Sequence, residues 1–280
     1  MKLPPLRYNP AILDKRYWSG GRERLSHLVV SSNTMYMRYN LIQCAGFLLA
    51  AILLSGCDNG VEPEPPSTSA NKIMPLGASR VEGARPLFES YRYELWKQLS
   101  DGTKEFDFIG TVNDESTYPA HNGLEFDEDH EGRSGWTSGQ INANLEDWLS
   151  QTGAPDIVLF SSPGGNDALE NLPYDEAIVN INSIIDILQA SNPSVTILIE
   201  KLAPAQSDRM IGELKSYFER IQEDVVTIAA NQSSSTSQII VVDMSSGFDD
   251  SLLADDVHYN EAGAKFVADR YAEVLSPLLE

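Results

Sequence analysis

Hydrophobic and polar positions along this chain follow two rhythms, which alternate from about residue 72 onward. Short, nearly unbroken apolar runs read as buried strands at 72–77 (KIMPLG), 106–110 (FDFIG), 155–162 (PDIVLFSS), 194–202 (SVTILIEKL) and 238–244 (QIIVVDM). Between them, apolar residues recur at three- and four-residue spacing, which predicts helices. The first, over 87–99, carries Leu87, Tyr91, Leu95 and Leu99 on one face. The next, over 138–149, shows Ile141, Leu145, Trp148 and Leu149. A third, over 174–190, shows Ile178, Ile181, Ile184, Ile185 and Leu188. Two more are expected over 208–230 and 260–278. The stretch 111–135 is rich in Gly, Asn, Asp and Glu and reads as a long loop.

Strands that read as solid apolar runs are buried on both faces, as in a parallel sheet covered by helices. The expected fold class is therefore α/β, a three-layer α/β/α sandwich around a five-stranded parallel sheet. Such sheets bind ligands at the carboxyl ends of their strands, so the chemistry should lie in the loops that leave those ends.

Upstream of residue 72 the pattern changes. Residues 37–56 place Arg38 before an apolar run from Leu41 to Leu54. That run is short for a bilayer span and suits the core of a signal peptide. It ends in Leu54-Ser55-Gly56-Cys57, which resembles the bacterial lipobox, whose cysteine is lipidated and becomes the first mature residue. Residues 1–36 precede this signal and are expected to come from an over-extended reading frame. Residues 57–71 are expected to be the lipidated cysteine and a disordered Pro/Ser/acid tether reaching roughly 45 Å when extended. Residues 72–280 form the expected single domain. The predicted location is the bacterial cell envelope, on the periplasmic face or the cell surface.

Charge and cysteines narrow the picture further. The whole chain has a formal net charge of −21. Residues 1–56 hold 7 of the 20 Lys+Arg and 2 of the 41 Asp+Glu, so the remainder carries 13 basic and 39 acidic residues, a net charge of −26. So acidic a surface repels nucleic acid and anionic headgroups and favours a neutral substrate. Cys44 and Cys57 are both accounted for by the signal and the lipid site, which leaves the domain without a disulfide.

Four groups come after the expected strands. Ser79 stands at the first strand-to-helix turn, in Gly77-Ala78-Ser79. DHEGRSGW, Asp129 to Trp136, closes the long loop after the second strand. Gly164-Gly165-Asn166-Asp167 comes after the third strand, and Asp255-Asp256-Val257-His258 after the last. Taken singly, each is most often a turn or a helix cap. Together they supply the parts that serine hydrolysis needs: a hydroxyl, a base to take its proton, a carboxylate to orient the base, and donors for the developing oxyanion.

In this order the blocks resemble the SGNH (GDSL-like) hydrolases, over nearly the whole domain from about Ile73 onward. The resemblance implies a flavodoxin-like SGNH fold with a catalytic triad of Ser79, His258 and Asp255. It implies an oxyanion hole from Gly135, Asn166 and the Ser79 N–H, with Gly132 as the alternative register to Gly135. No cofactor or metal is implied. IMPLGAS, SYRYELWKQL, FDFIGT, DEDHEGRSGW and GGND are similar to acetylxylan-esterase-like members, carbohydrate esterase family 3. That subgroup implies deacetylation of a polysaccharide or oligosaccharide, with an acetylated carbohydrate or small ester as the partner molecule; the enzyme is expected to be monomeric. One departure stands out: Ala78 occupies the position of the family's usual aspartate.

Other features are weighed against this reading. The acid run 125–131 around His130 invites a metal, but it lacks calcium-loop and zinc spacing and reads as a solvated loop. His121 reads as a surface residue. Trp136 is a candidate for the acyl pocket or for sugar contact, against plain packing. Arg80 and Arg92 are candidates for substrate contact, against intramolecular ion pairs. Two rival functions remain open: a lysophospholipase or thioesterase of the same fold, and a catalytically degenerate, carbohydrate-binding envelope lipoprotein.

Overall fold

The computed structural model describes residues 66–279, Glu115 excepted. The reading-frame extension, the signal peptide and the lipid site at Cys57 lie outside the described residues. Asn71, at the end of the expected tether, is already part of the fold. It is buried, its amide donates to the Glu105 carbonyl (2.6 Å), and its own carbonyl accepts from Asp107 N (3.0 Å).

Six strands make one parallel sheet. They are β1 (Lys72–Gly77), β2 (Asp107–Phe108), β3 (Glu131–Gly132), β4 (Ile157–Phe160), β5 (Thr196–Lys201) and β6 (Ile239–Asp243). The order is β2-β1-β4-β5-β6. The expected sheet had five strands; β3 is the addition. It pairs with β1 at Leu76 and Gly77, beyond the point where β2 pairs at Lys72 and Ile73. Two short pieces thus share one strand position, and the long loop is an excursion between them. Two-residue strands carry no periodicity, so β3 is invisible in the sequence.

The helices are α1 (Ser79–Glu82), α2 (Arg92–Ser100), α3 (Ser138–Thr152), α4 (Gly165–Leu169), α5 (Tyr174–Ser191), α6 (Gly212–Gln232) and α7 (Glu261–Leu275). Short 3₁₀ turns occupy Asp250–Leu252 and Ser276–Leu278. Alternate residues of a strand face opposite sides, and the core divides accordingly. Met74, Leu76, Val158, Phe160, Ile197 and Ile199 pack against α3, α5 and α6. Ile73, Ile157, Leu159, Leu198 and Val242 pack against α2 and α7. Each such side chain contributes roughly 1.5–3 kcal/mol by leaving water.

Local signals set several ends. At α3, Thr137 N donates to Gln140 Oε1 (2.9 Å) and the Thr137 hydroxyl accepts from Gln140 N (3.4 Å), a capping box. At α7, Asn260 caps through its side-chain oxygen, which accepts from Gly263 N (3.0 Å). The helix expected from residue 87 begins only at Arg92. Residues 84–91 are held elsewhere: Ala84 bridges Phe88, and Glu89 N donates to the Tyr259 carbonyl (2.9 Å). Leu87 matched the helical period yet is 78% exposed.

The acid run 125–131 is not a solvated loop, which corrects the expectation. Phe126, His130 and Glu131 are buried. The reason is Arg92, itself fully buried, which donates to the carbonyls of Val81 (2.7 Å), Glu128 (2.9 Å) and Glu82 (3.1 Å) and to Asp114 Oδ1 (2.6 Å). That single guanidinium ties the excursion to α1.

Candidate active site

β1 ends at Gly77, and Ser79 is the first residue of the one-turn helix α1. Its hydroxyl lies 2.9 Å from His258 Nε2. His258 Nδ1 lies 2.8 Å from Asp255 Oδ2. A carboxylate accepts only, so Nδ1 carries the proton and Nε2 is left to accept from the serine. Asp255 also shapes its own turn, because Oδ1 accepts from the backbone N–H groups of Val257 (2.9 Å) and His258 (2.8 Å). Partial burial alone would raise this carboxyl. The two N–H groups and the imidazole outweigh that and hold it below its ordinary range. Asp256 points away and meets Arg209 at 3.2 Å.

The oxyanion candidates resolve differently. Gly132 is buried, its N–H donates to His130 Nδ1 (2.9 Å), and an added Cβ would sit 2.5 Å from Glu82 N. Its glycine identity serves a close backbone approach. Gly135 sits in the turn 133–136, closed by Trp136 N donating to the Arg133 carbonyl (3.1 Å), with φ +77. Among the described residues no group accepts the Gly135 N–H or the Ser79 N–H. Of the two registers, Gly135 has a donor to offer. The Ser134 N–H donates to the Glu82 carboxylate and so fastens this turn to α1.

Asn166 lies on α4, after a turn in which Gly164 is left-handed. Its amide donates one proton to the Trp136 carbonyl (2.8 Å) and keeps the other. Trp136 therefore serves the site through its backbone, while its ring packs on Trp148 at 5.5 Å. Asp167, the next residue, is buried and accepts from Ser138 N (2.8 Å) and Ser138 Oγ (2.7 Å).

Ser79 and Asn166 open onto one cavity of about 30 Å³, whose other walls include Leu169, Leu202, Phe218 and Val257. Ala78 offers no side-chain cap to α1. Arg80 lines this cavity but its guanidinium is engaged by the protein, and Arg92 is not among the walls. Arg92 is in the buried ion pair with Asp114. Arg80 is buried and bonded to carbonyls, not to an acid: Ala203 and Val257 at 2.8 Å and Pro204 at 3.1 Å. His121 is partly exposed and bound to Asp101 (2.7 Å). One neighbour of the site escaped the sequence altogether. The Phe88 ring lies flat on His258, centroids 3.9 Å apart at 14°.

A hydroxyl, an imidazole and a carboxylate in line at the carboxyl edge of a parallel sheet define a serine hydrolase of the SGNH type. A sequence model of the GDSL-like lipase/acylhydrolase family matches residues 110–266, more than half of the chain, and the chain belongs to that family. It is an ester-hydrolysing enzyme. Among solved structures, it is similar to a carbohydrate esterase family 3 protein from Talaromyces cellulolyticus, with 28% identity and a TM-score of 0.63 over 74% of this chain and 97% of that one. It is also similar to a family 3 carbohydrate esterase from Clostridium thermocellum, with 28% identity and a TM-score of 0.59 over 75% and 99%. A lipase/acylhydrolase from Enterococcus faecalis, at 16% identity and a TM-score of 0.54 over 75% and 97%, shares the fold. No curated protein sequence matches the chain.

Proposed function

We propose that the protein removes acetyl groups from a carbohydrate, with Ser79 as nucleophile, His258 as base and then acid, and Asp255 as the group that orients the imidazole. The observation that carries this reading is the unbroken relay from Ser79 Oγ to His258 Nε2 (2.9 Å) and from His258 Nδ1 to Asp255 (2.8 Å). Ser79 Oγ attacks the ester carbonyl as its proton passes to Nε2. The oxyanion accepts from the N–H groups of Ser79 and Gly135 and from the second Asn166 amide proton. Collapse expels the sugar hydroxyl, protonated by His258. Water then attacks the acyl-serine by the same route and releases the acid.

The acyl group is read as small because the cavity beside Ser79 is small: about 30 Å³, room for roughly two water molecules. Leu169, Leu202 and Phe218 suit a methyl group. The similarity to two carbohydrate esterases of family 3 supports a sugar as the leaving group, and the acidic surface suits a neutral one. Acetate release from acetylated xylan and from 4-nitrophenyl acetate, compared with butyrate and octanoate esters, tests this. The expected result is acetyl preference that vanishes in Ser79→Ala; turnover confined to long chains would instead support a lipid acylhydrolase.

The same proposal extends to location. Cys57 is read as the lipid anchor of an envelope lipoprotein. Cys57→Ser is expected to release the protein from the membrane fraction, and unchanged attachment would defeat the anchor.

A further inference from the structure

Strand β5 ends in an anomaly. In Thr196–Lys201 (TILIEK), Glu200 is fully buried beneath the site. A carboxyl there is costly unless its oxygens are matched, and an apolar residue would serve the strand's packing better. Both oxygens are matched. Oε1 accepts from the Tyr271 hydroxyl of α7 (2.8 Å). Oε2 accepts from Ser162 N (2.7 Å) and stands 3.3 Å from Ser162 Oγ.

Ser162 is itself unusual. It comes after β4 with φ +46, a left-handed conformation that non-glycine residues rarely hold without support. Its carbonyl accepts from Gly165 N (3.0 Å), closing the turn that launches α4 and Asn166. Its hydroxyl also faces Arg80 Nη1 at 3.4 Å. Arg80 is the residue next to Ser79 and reaches the Val257 carbonyl, one residue before His258. The nucleophile turn, the oxyanion turn and the histidine loop therefore meet at Ser162 and Arg80, with Glu200 underneath. Ala78 adds no cap of its own, so this brace holds α1 from the other side.

We propose that Glu200 is a positioning residue of the active site: it holds Ser162 in its left-handed turn and thereby aims Asn166 at the oxyanion. This inference rests on the reading of Ser79 as nucleophile. What matters is an acceptor oxygen at the Glu200 position, not a charge. Glutamine places its carbonyl oxygen at the same reach, whereas aspartate keeps the charge but withdraws it by one methylene.

The experiment compares Glu200→Gln, Glu200→Asp and Glu200→Ala in the full chain, measuring kcat and KM on 4-nitrophenyl acetate alongside the thermal midpoint, with Ser79→Ala as reference. Glu200→Gln is expected to keep most of the turnover. Glu200→Asp is expected to lose more, and Glu200→Ala about 10²-fold in kcat with KM little changed, as for a misaligned site. If Glu200→Ala does not fold, the order of glutamine over aspartate still decides. Aspartate equal to or better than glutamine, or all variants at wild-type kcat, overturns the proposal. Activity persisting in Ser79→Ala would instead overturn the reading of the site itself.

Discussion

His258 and His130 both face an aspartate, yet they do opposite work. His258 stands 2.8 Å from Asp255 with about a fifth of its side chain exposed, and its other nitrogen meets the Ser79 hydroxyl. His130 stands 3.5 Å from Asp114 with no exposure, and its other nitrogen accepts the Gly132 N–H. Burial, the Arg92 charge and Arg133 push the His130 pKa down to about 4 against the pull of Asp114. A histidine fixed neutral in the interior builds structure. One that keeps solvent on one side and a hydroxyl on the other can cycle a proton. The aspartate partner alone does not distinguish them; the group facing the second nitrogen does.

The largest expected effect comes from removing the exposed partner. His258→Ala should lower kcat by about 10⁴-fold or more, with the unfolding midpoint nearly unchanged. Steady-state kinetics beside a melting curve checks both halves. Next is the buried side. Arg92→Met leaves Asp114 buried without its cation and should cost about 3–5 kcal/mol of stability, read by urea unfolding.

A subtler break uses pH. The unfolded His130 takes up a proton below about pH 6.5, whereas the folded one resists until about 4. The contribution of His130 to stability is therefore full above 6.5, falls as pH drops to about 4, and levels off below that, a loss of up to about 3 kcal/mol. Asp127 acts the other way, because burial raises its carboxyl to about 6. The informative quantity is thus wild-type stability minus that of His130→Asn, which should fall by up to about 3 kcal/mol between pH 6.5 and 4, because the variant keeps the Asp127 response and loses that of His130. The smallest effect is at the rim. Phe88→Ala frees the face of His258 and should lower kcat by about 2- to 10-fold, comparable to losing an aromatic contact of about 0.5–1.5 kcal/mol.

How much of this the sequence disclosed depends on the range of each interaction. Strands buried on both faces write themselves as apolar runs, so β1, β4, β5 and β6 are legible to within two residues or so at each end. Asp255 and His258 are three residues apart and shape each other's turn, so their pairing is local. Gly135 and Asn166 were proposed only through the resemblance of their blocks; the Gly132 N–H is engaged by His130 Nδ1, which favours Gly135 as the donor in the proposed mechanism. Phe88 was hidden because Leu87 fitted a helical period while Glu89 was pairing with Tyr259, 170 residues away. The acid run 125–131 was misread because composition cannot report an arginine arriving from α2. Glu200 drew no reading of its own within the strand run 194–202; only the fold places Ser162 and Tyr271 around it.

The divided position beside β1 has a consequence for life in a crowded compartment. An unpaired sheet edge is a template on which another chain can add a strand. Here a neighbour approaching that edge meets two residues of β2, then the folded excursion, then two residues of β3. No continuous ladder is on offer, so this side of the molecule resists edge-to-edge aggregation through its connectivity.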